Sequence, residues 1–157
     1  MKKHSTLYDT ARPYIACFAI LRRGSKIAMI KRKNTGYMDG FYGLPAGKVE
    51  YGEPYALAAV REAKEEAGVD IELEDLEFAH MVHRHNQNET ETEFMDWVDV
   101  YFEAKKWSGE PHNAEEEKAE SLEWIDFDNL PENIVPPVRE ALSHIHEGRR
   151  YSEYGWE

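Results

Sequence analysis

Runs of apolar residues, separated by turn-forming segments, predict a series of β-strands along the chain. The runs PYIACFAIL (13–21) and KIAMIKRK (26–33) flank the turn RRGS (22–25), and this arrangement predicts a β-hairpin. Two longer strands are predicted at 76–85 and 93–106, and apolar residues alternate with polar ones along the second of them. These four segments are the main predicted strands.

Two helices are predicted between and after these strands. Pro54 is expected at the first position of a helix, where its missing N–H is not needed. This helix extends to about Ala67, and Gly68 follows it as a C-terminal cap residue. A further strand is expected within 121–131 and a final helix at 135–148. Strands on both sides of a central helix, with a helix near the C-terminal end, predict an α+β fold or an αβα sandwich.

Length and composition indicate one globular domain. The 157 residues suit a single domain that spans 1–157. A hydrophobic fraction of 41% and an aromatic fraction of 12% are typical of a folded chain and exclude a disordered one. Cys17 is the single cysteine, so an internal disulfide is excluded, and its apolar neighbours predict a small buried residue.

The N-terminal apolar run and the net charge restrict the expected location and partners. The run YIACFAIL (14–21) is too short to cross a bilayer, and no small-residue cleavage site follows it. The protein is therefore expected to be cytoplasmic, without a membrane partner. The formal net charge of −12 disfavours contact with nucleic-acid backbones. A polyanionic substrate would need a cation, such as a bound metal ion, to mediate its contact with this chain.

Three glutamates lie close together on the central helix. Glu62, Glu65 and Glu66 are three and four residues apart and therefore share one face, whereas Ala63 and Ala67 belong to an apolar face elsewhere on the helix. Like charges at this spacing destabilise a helix. Two explanations remain open at this point: an acidic face exposed to water, or a site for a hard divalent cation such as Mg²⁺, which prefers carboxylate oxygens.

The residues around these glutamates follow a longer pattern. Gly47 is followed after five residues by Glu53, and after seven more by the segment REAKEEAGV (61–69). This stretch resembles the Nudix box, G-x5-E-x7-R-E-U-x-E-E-x-G-U, in which U is a bulky aliphatic residue. Ala63 at the first U position is the one departure, and it affects packing rather than chemistry.

Segments outside the box extend the resemblance to MutT-type members of the Nudix family. GFYGLPAGK (40–48) is similar to the family's lead-in segment, although Ala46 stands where a glycine is common. The acidic loop and the Trp-bearing strand within 107–131 are similar to the far side of MutT-type members. The likeness covers a core of about residues 13–145 and leaves a short aromatic and charged tail. It implies an αβα sandwich with a mixed central β-sheet.

The resemblance implies a reaction and a metal cofactor. Nudix enzymes use water to cleave the pyrophosphate link of a nucleoside diphosphate joined to another group. Glu62, Glu65 and Glu66 would bind Mg²⁺, for which Mn²⁺ can substitute. Arg61 would hold the loop or one of these glutamates by bidentate contacts. The resemblance therefore implies that the three glutamates and Arg61 are the catalytic residues on the helix.

The resemblance leaves several substrates open. The favoured one is a (d)NTP, cleaved to NMP and pyrophosphate. ADP-ribose, a nucleotide-sugar and a dinucleoside polyphosphate are alternatives, and a triphosphorylated RNA end is disfavoured because the chain has no basic stripe. A non-catalytic nucleotide-binding regulatory module is an alternative of another class. The expected partner is a small nucleotide, and a homodimer is left open.

Residues outside the helix complete the implied site. Glu115 in the acidic loop is predicted to be a further metal ligand or general base, with Glu117 as the second choice. Gly47 would let the backbone pass close to the metal and the phosphates, Lys48 would contact a phosphate, and Phe41 would stack on a base. The alternatives are an exposed lysine without a role and an aromatic ring in the core.

Three histidines and the tail are less informative. His80, His83 and His85 form H-x2-H-x-H on a predicted strand, with His83 and His85 on one face and His80 on the other. This spacing makes no tetrahedral zinc site without further ligands, so neutral or substrate-facing histidines are expected. The tail RRYSEYGWE (149–157) is expected to dock either on the domain or on a partner chain.

Overall fold

The computed structural model describes residues 11–86 and 95–156. No helix in these two ranges is long and apolar enough to cross a membrane. The start of the predicted strand 93–106 and the first ten residues lie outside the described part. In chain order the elements are β1 (Tyr14–Arg23), β2 (Lys26–Arg32), β3 (Tyr42–Gly43), β4 (Ala46–Lys48), α1 (Tyr55–Ala67), a 3₁₀ turn (Leu73–Asp75), β5 (Leu76–Asn86), β6 (Met95–Ala104), β7 (Ala119–Asp126), α2 (Pro136–His146) and β8 (Tyr151–Tyr154).

The strands form one mixed sheet in which β1 is central. β1 runs parallel to β6 and antiparallel to β4, and its last two residues pair with β2, which completes the predicted hairpin. β2 also pairs with β3 and β7, so the hairpin carries one part of the sheet. On the other side of β6 follow β5 and then β8. β1 therefore connects the two parts of the sheet, and the short strand β4 is attached to it.

Alternate side chains of β1 face different helices. Cys17, Ala19 and Leu21 are buried and pack in clusters with alanines of α1, as the sequence predicts for Cys17. Phe18 and Ile20 point to the other face and pack in a cluster with buried residues of α2. Because side chains alternate across a strand, this pattern places one helix on each face of the sheet. The predicted αβα sandwich with a mixed sheet is thus confirmed.

Helix α1 differs in two details from the prediction. Pro54 is the N-cap residue, with an extended backbone, rather than the first helical residue. The helix ends where predicted, since Gly68 adopts the left-handed conformation with φ of 71° and its N–H bonds to the Lys64 carbonyl. Ala63 and Ala67 are buried as expected, but Glu62 is buried as well. The acidic and apolar faces of α1 therefore overlap at Glu62.

The C-terminal segment forms a strand that the sequence analysis did not predict. Helix α2 ends at His146, and β8 then pairs in parallel with β5 over Met81–Arg84. The indole N–H of Trp156 donates to the carbonyl of His83 at 2.9 Å. The sequence left open whether the tail docks on its own domain or on a partner chain. In the structure the tail docks on its own domain.

Candidate active site

The three helix glutamates have very different surroundings. The side chain of Glu62 is 9% exposed, whereas that of Glu65 is 54% exposed. Glu66 is intermediate, and its Oε2 accepts a hydrogen bond of 2.8 Å from the backbone N–H of Ala46. Only Glu65 behaves as a side chain on a solvated acidic face. The other two turn towards the sheet, where a carboxylate needs a specific partner.

Arg61 is the partner that holds most of these carboxylates. Its guanidinium donates to both oxygens of Glu53, at 2.7 and 2.9 Å, and to Glu62 Oε1 at 2.7 Å. It also donates to Glu65 Oε2 at 3.3 Å and to the carbonyl of Lys48 at 3.1 Å. The bond from Arg61 lowers the pKa of Glu53. Arg61 thus ties the loop before α1 to two glutamates of the helix.

Gly47 lies directly against the carboxylate of Glu62. Gly47 belongs to β4 and pairs with Cys17 of β1, so its backbone is fixed by the sheet. A Cβ atom at this position would overlap the Glu62 carboxylate group. The absence of a side chain at Gly47 is therefore what lets the Glu62 carboxylate lie against β4.

Replacing Gly47 by alanine is expected to displace this carboxylate. If Glu62 has the catalytic role that the Nudix resemblance implies, kcat should fall by about 10-fold or more, because small displacements of a reacting group have large effects on rate. The measurement is kcat in the single variants Gly47→Ala and Glu62→Ala and in the double variant. If Gly47 acts through Glu62, the second substitution adds little to the first. Fully additive losses would contradict this interpretation.

Three carboxylates concentrate negative charge beside β4. Burial, together with the negative charges of Glu62 and Glu115, raises the pKa of Glu66 to about 8, against the opposing bond from Ala46. Burial also raises the pKa of Glu62, while Arg61 opposes this shift. Glu115 approaches from the loop before β7 and forms an ion pair with Lys118 at 3.4 Å. Glu62, Glu66 and Glu115 therefore interact with one another, although they come from two distant segments.

The chemistry of these donors fits a hard divalent cation. Carboxylate oxygens are the ligands that Mg²⁺ prefers, and a cation would relieve the repulsion that raises the pKa of Glu66. Across residues 11–86 and 95–156, however, no three His, Cys, Asp or Glu side chains already stand in a metal-binding arrangement. Arg61 holds Glu62 and Glu65, and Ala46 holds Glu66. Metal binding would therefore require these side chains to exchange their present partners.

A cleft of about 710 Å³ opens next to these carboxylates. Glu66 and Glu115 line it together with Gly47 and Lys48. The ammonium of Lys48 lies 4.8 Å from the ring centre of Tyr14 and 5.4 Å from that of Trp97. The cleft has a volume suited to a small-molecule ligand, and it carries both acidic and basic side chains. Lining residues also come from the sheet: Ala16, Phe18, Ile30, Arg32, Arg84, Trp97, Asp99 and Tyr101.

The cleft separates the predicted residues into two groups. Gly47, Lys48 and Glu115 line it, whereas Phe41 packs against the core cluster and is absent from the lining residues in the described part of the chain. For Phe41, core packing is thus the interpretation that fits. Glu117 is exposed and is likewise not a lining residue within the described ranges. Of the three helix glutamates, Glu66 lines the cleft with Glu115 and Lys48. Within the described ranges Glu62 and Glu65, like Phe41 and Glu117, are not lining residues.

Comparison with known proteins agrees with this geometry. The model of the NUDIX domain family matches residues 10–145. The chain belongs to the Nudix hydrolase family. A MutT Nudix hydrolase from Burkholderia pseudomallei is 32% identical, with a TM-score of 0.73, and the alignment covers 84% of this chain and 97% of that one. A MutT protein from Bacillus halodurans shares the fold at 20% identity with a TM-score of 0.70, over 90% of this chain and 89% of that one.

Two curated relatives of this Nudix chain match over less than half of its length. An ADP-ribose pyrophosphatase from Methanocaldococcus jannaschii is 42% identical over 64 residues, which are 41% of this chain and 37% of that protein. An 8-oxo-dGTP diphosphatase from Proteus vulgaris is 31% identical over 65 residues, 41% of this chain and 58% of that protein. Each alignment spans less than two thirds of its relative. The two relatives carry different activities, so they do not fix the substrate of this Nudix protein.

The three histidines lie apart from the Nudix cleft. His80 is fully buried and bonds to the carbonyl of Arg149 and the hydroxyl of Ser152, each at 2.8 Å. Burial lowers the pKa of His80, so its neutral form is favoured. His83 and His85 face the other side and contact the Trp156 ring. The predicted alternation is confirmed, and these residues hold the C-terminal segment.

Two polar residues in the Nudix cleft were missed by the sequence analysis. Arg84 of β5 and Asp99 of β6 are both buried and form an ion pair in which Nε and Oδ2 are 2.6 Å apart. The alternation of residues along each strand could have indicated them, because each charged residue stands at an inward-facing position that an apolar residue would normally occupy. Val82 is buried two positions before Arg84, and Tyr101 two positions after Asp99.

Proposed function

We propose that this protein is a divalent-metal-dependent nucleotide pyrophosphohydrolase that cleaves a (d)NTP to NMP and pyrophosphate. The observation that carries the proposal is the convergence of Glu62, Glu66 and Glu115 beside a cleft that also contains Lys48. Carboxylates that repel one another suit a cation, and a lysine suits the phosphates of an anionic substrate. The proposal includes a cytoplasmic location, and the charge of −12 favours a small nucleotide over a nucleic acid.

Each group of the site has a task in this reaction. Mg²⁺, or Mn²⁺ in its place, would be held by Glu62, Glu65 and Glu66, and when bound it would neutralise phosphate charge and make a bound water more acidic. Lys48 binds a phosphate oxygen. Glu115 takes the proton of the attacking water as the new phosphorus–oxygen bond forms and the anhydride bond breaks.

Other substrates of the same class are kept as alternatives. The relative from Methanocaldococcus jannaschii is named as an ADP-ribose pyrophosphatase, and that from Proteus vulgaris as an 8-oxo-dGTP diphosphatase. A nucleotide-sugar and a dinucleoside polyphosphate would present the same pyrophosphate link to the site. A non-catalytic nucleotide-binding module is the alternative of a different class, and homodimer formation is compatible with either.

Product analysis tests the proposal. The protein is incubated with Mg²⁺ or Mn²⁺ and with the common NTPs and dNTPs, ADP-ribose, a nucleotide-sugar and a dinucleoside polyphosphate, and the products are separated by chromatography. We expect NMP and pyrophosphate from a triphosphate. If only ADP-ribose or a nucleotide-sugar is cleaved, that compound and not a triphosphate is the substrate. Absence of turnover with every compound would favour the binding module.

Glutamine variants of the acidic loop test the role of Glu115. Glu115→Gln is expected to lower kcat by about 100-fold, because general-base catalysis typically contributes factors of 10² to 10⁴. Glu117→Gln is the matched control: it removes the same charge two residues away, outside the cleft, and is expected to retain the wild-type rate. Equal rates in the two variants would contradict the assignment of the base.

A further inference from the structure

The loop that carries Glu115 is attached to the last turn of helix α1. The backbone N–H of His112 donates to the carbonyl of Ala67 at 3.0 Å. The backbone N–H of Ala114 donates to the carbonyl of Glu66 at 3.3 Å. Carbonyls at the end of a helix lack a partner within the helix, so they are available to the loop. Glu66 therefore contributes its carboxylate to the site and its carbonyl to the loop that carries Glu115.

Gly68 lets this loop approach the end of the helix closely. A Cβ atom at this position would overlap the imidazole ring of His112. The ring is held in place, since its Nδ1 donates to the carbonyl of Glu110 at 2.9 Å. The last glycine of the Nudix box thus makes room for the loop, in addition to ending the helix.

Asn113 closes the turn that contains Glu115. Its side-chain Oδ1 accepts a hydrogen bond of 3.2 Å from the backbone N–H of Glu115, two residues further on, which is the pattern of an Asx turn. Its Nδ2 donates to the carbonyl of Ala119 at 2.8 Å. Ala119 is buried and is the first residue of β7. One side chain therefore joins the backbone at Glu115 to the sheet.

The conformation of this turn determines which glutamate reaches the cleft. Of the three consecutive glutamates at 115–117, Glu115 alone is a lining residue within the described ranges. Glu116 and Glu117 are exposed. The backbone of the turn is closed a second time, because the N–H groups of Lys118 and Ala119 both donate to the Glu115 carbonyl at 3.0 Å. The direction of the Glu115 carboxylate thus depends on the turn that Asn113 closes.

We propose that Asn113 is a positioning residue for Glu115: it fixes the backbone from which the Glu115 carboxylate reaches the attacking water. This inference rests on the proposed function, in which Glu115 takes the proton of that water. Asn113 is not a lining residue of the cleft within the described part of the chain. It therefore acts through Glu115 and does not touch the substrate.

Alanine and serine variants of Asn113 test this role. Asn113→Ala removes both hydrogen bonds, and we expect kcat to fall about 10-fold with KM changed less than about 2-fold, because Glu115 takes part in the chemical step. Asn113→Ser should recover part of the loss, since a serine hydroxyl accepts the same turn hydrogen bond more weakly. A change in KM alone, or a wild-type kcat in Asn113→Ala, would overturn the inference.

A matched control separates positioning from stability. Asn133 is half-buried as Asn113 is, and its Nδ2 donates to the carbonyl of Gly40 at 3.0 Å. Asn133→Ala should lower the thermal midpoint about as much as Asn113→Ala does, but should keep the wild-type kcat. In a Glu115→Gln background, Asn113→Ala should change kcat less than about 2-fold. A loss as large as in the wild-type background would contradict action through Glu115.

Amide hydrogen exchange, measured by NMR, reports on the turn independently of activity. The N–H of Glu115 should be protected in the wild-type protein. Asn113→Ala should speed its exchange about 5- to 10-fold, the equivalent of one hydrogen bond, and Asn133→Ala should leave it unchanged. An unprotected Glu115 N–H in the wild-type protein would overturn the inference. If the exchange results are as expected but no nucleotide is cleaved, the proposed function is overturned, whereas the positioning of Glu115 by Asn113 stands.

Discussion

Replacing Glu66 by glutamine is expected to remove activity and at the same time to stabilise the metal-free protein. Glu66 is held close to Glu62 and Glu115, and burial raises its pKa from 4.5 to about 8. In the folded state it therefore binds a proton in a pH range where the unfolded chain has lost it. The free energy of unfolding falls as pH rises from about 4.5 to about 8, and the charged form is unfavourable above that range.

Glutamine removes this destabilising charge and keeps an oxygen that can accept the Ala46 N–H bond. At pH 9 in EDTA we expect Glu66→Gln to raise the free energy of unfolding by about 1–3 kcal/mol, as expected for removal of a poorly compensated buried charge. With Mg²⁺ present we expect kcat to fall by about 100-fold or more, because removing a group that stabilises transition-state charge has effects of this size.

Urea unfolding in EDTA at pH 6 and pH 9 checks the stability part. Wild-type protein should lose more stability between these pH values than Glu66→Gln. Glu65→Gln serves as the matched control, since Glu65 is 54% exposed and its neutralisation should leave the pH dependence close to that of wild type. A Glu66→Gln protein less stable than wild type at pH 9 would show that the Glu66 charge is already well compensated without metal.

Replacement of Arg61 by methionine is expected to lower both the free energy of unfolding and kcat. The substitution keeps much of the side-chain volume but leaves Glu53 and Glu62 without their main cationic partner. Because the Arg61 side chain is 24% exposed, we expect a loss of about 1–3 kcal/mol, below the range for a fully buried pair. We also expect kcat to fall at least about 10-fold, because Glu62 is no longer held in place.

Thermal and urea unfolding of Arg61→Met, combined with kcat, check this prediction. The control is Arg23→Met, which breaks the two-bond contact of Arg23 with Glu110 at 3.0 and 3.1 Å on the exposed surface. Exposed pairs contribute little to stability, so this control should have a much smaller effect. In the double variant Arg61→Met/Glu53→Gln part of the loss should be recovered. Equal effects in Arg61→Met and Arg23→Met would contradict a special role for Arg61.

The sequence was sufficient for the elements whose pattern is local. The hairpin, helix α1 with its end at Gly68, and helix α2 follow from apolar spacing and from turn and cap residues, and the Nudix box followed from fixed spacing. Strand β8 has only four residues, and it exists because β5 offers an edge to pair with. Such pairing between distant segments is not contained in a local pattern.

The burial of individual glutamates could not be predicted from a helical wheel. The wheel separates Glu62 from the apolar face by angle, but the structure buries it because Gly47 leaves room and Arg61 provides a partner. The pairing of Arg84 with Asp99 likewise depends on the register of β5 against β6, which places Arg84 opposite Trp97. Sequence alone therefore named the helix residues but not the cleft that they border.

Strand β8 also determines which edge the sheet presents to other molecules. Without it, the eleven-residue strand β5 would be an edge strand with unpaired outward-facing backbone groups, the kind of edge at which sheets of separate molecules join. β8 occupies this edge at Met81–Arg84, and Trp156 adds a bond to the carbonyl of His83. The last segment of the described chain therefore shields part of this edge from pairing with another molecule, at a place apart from the cleft that carries the proposed chemistry.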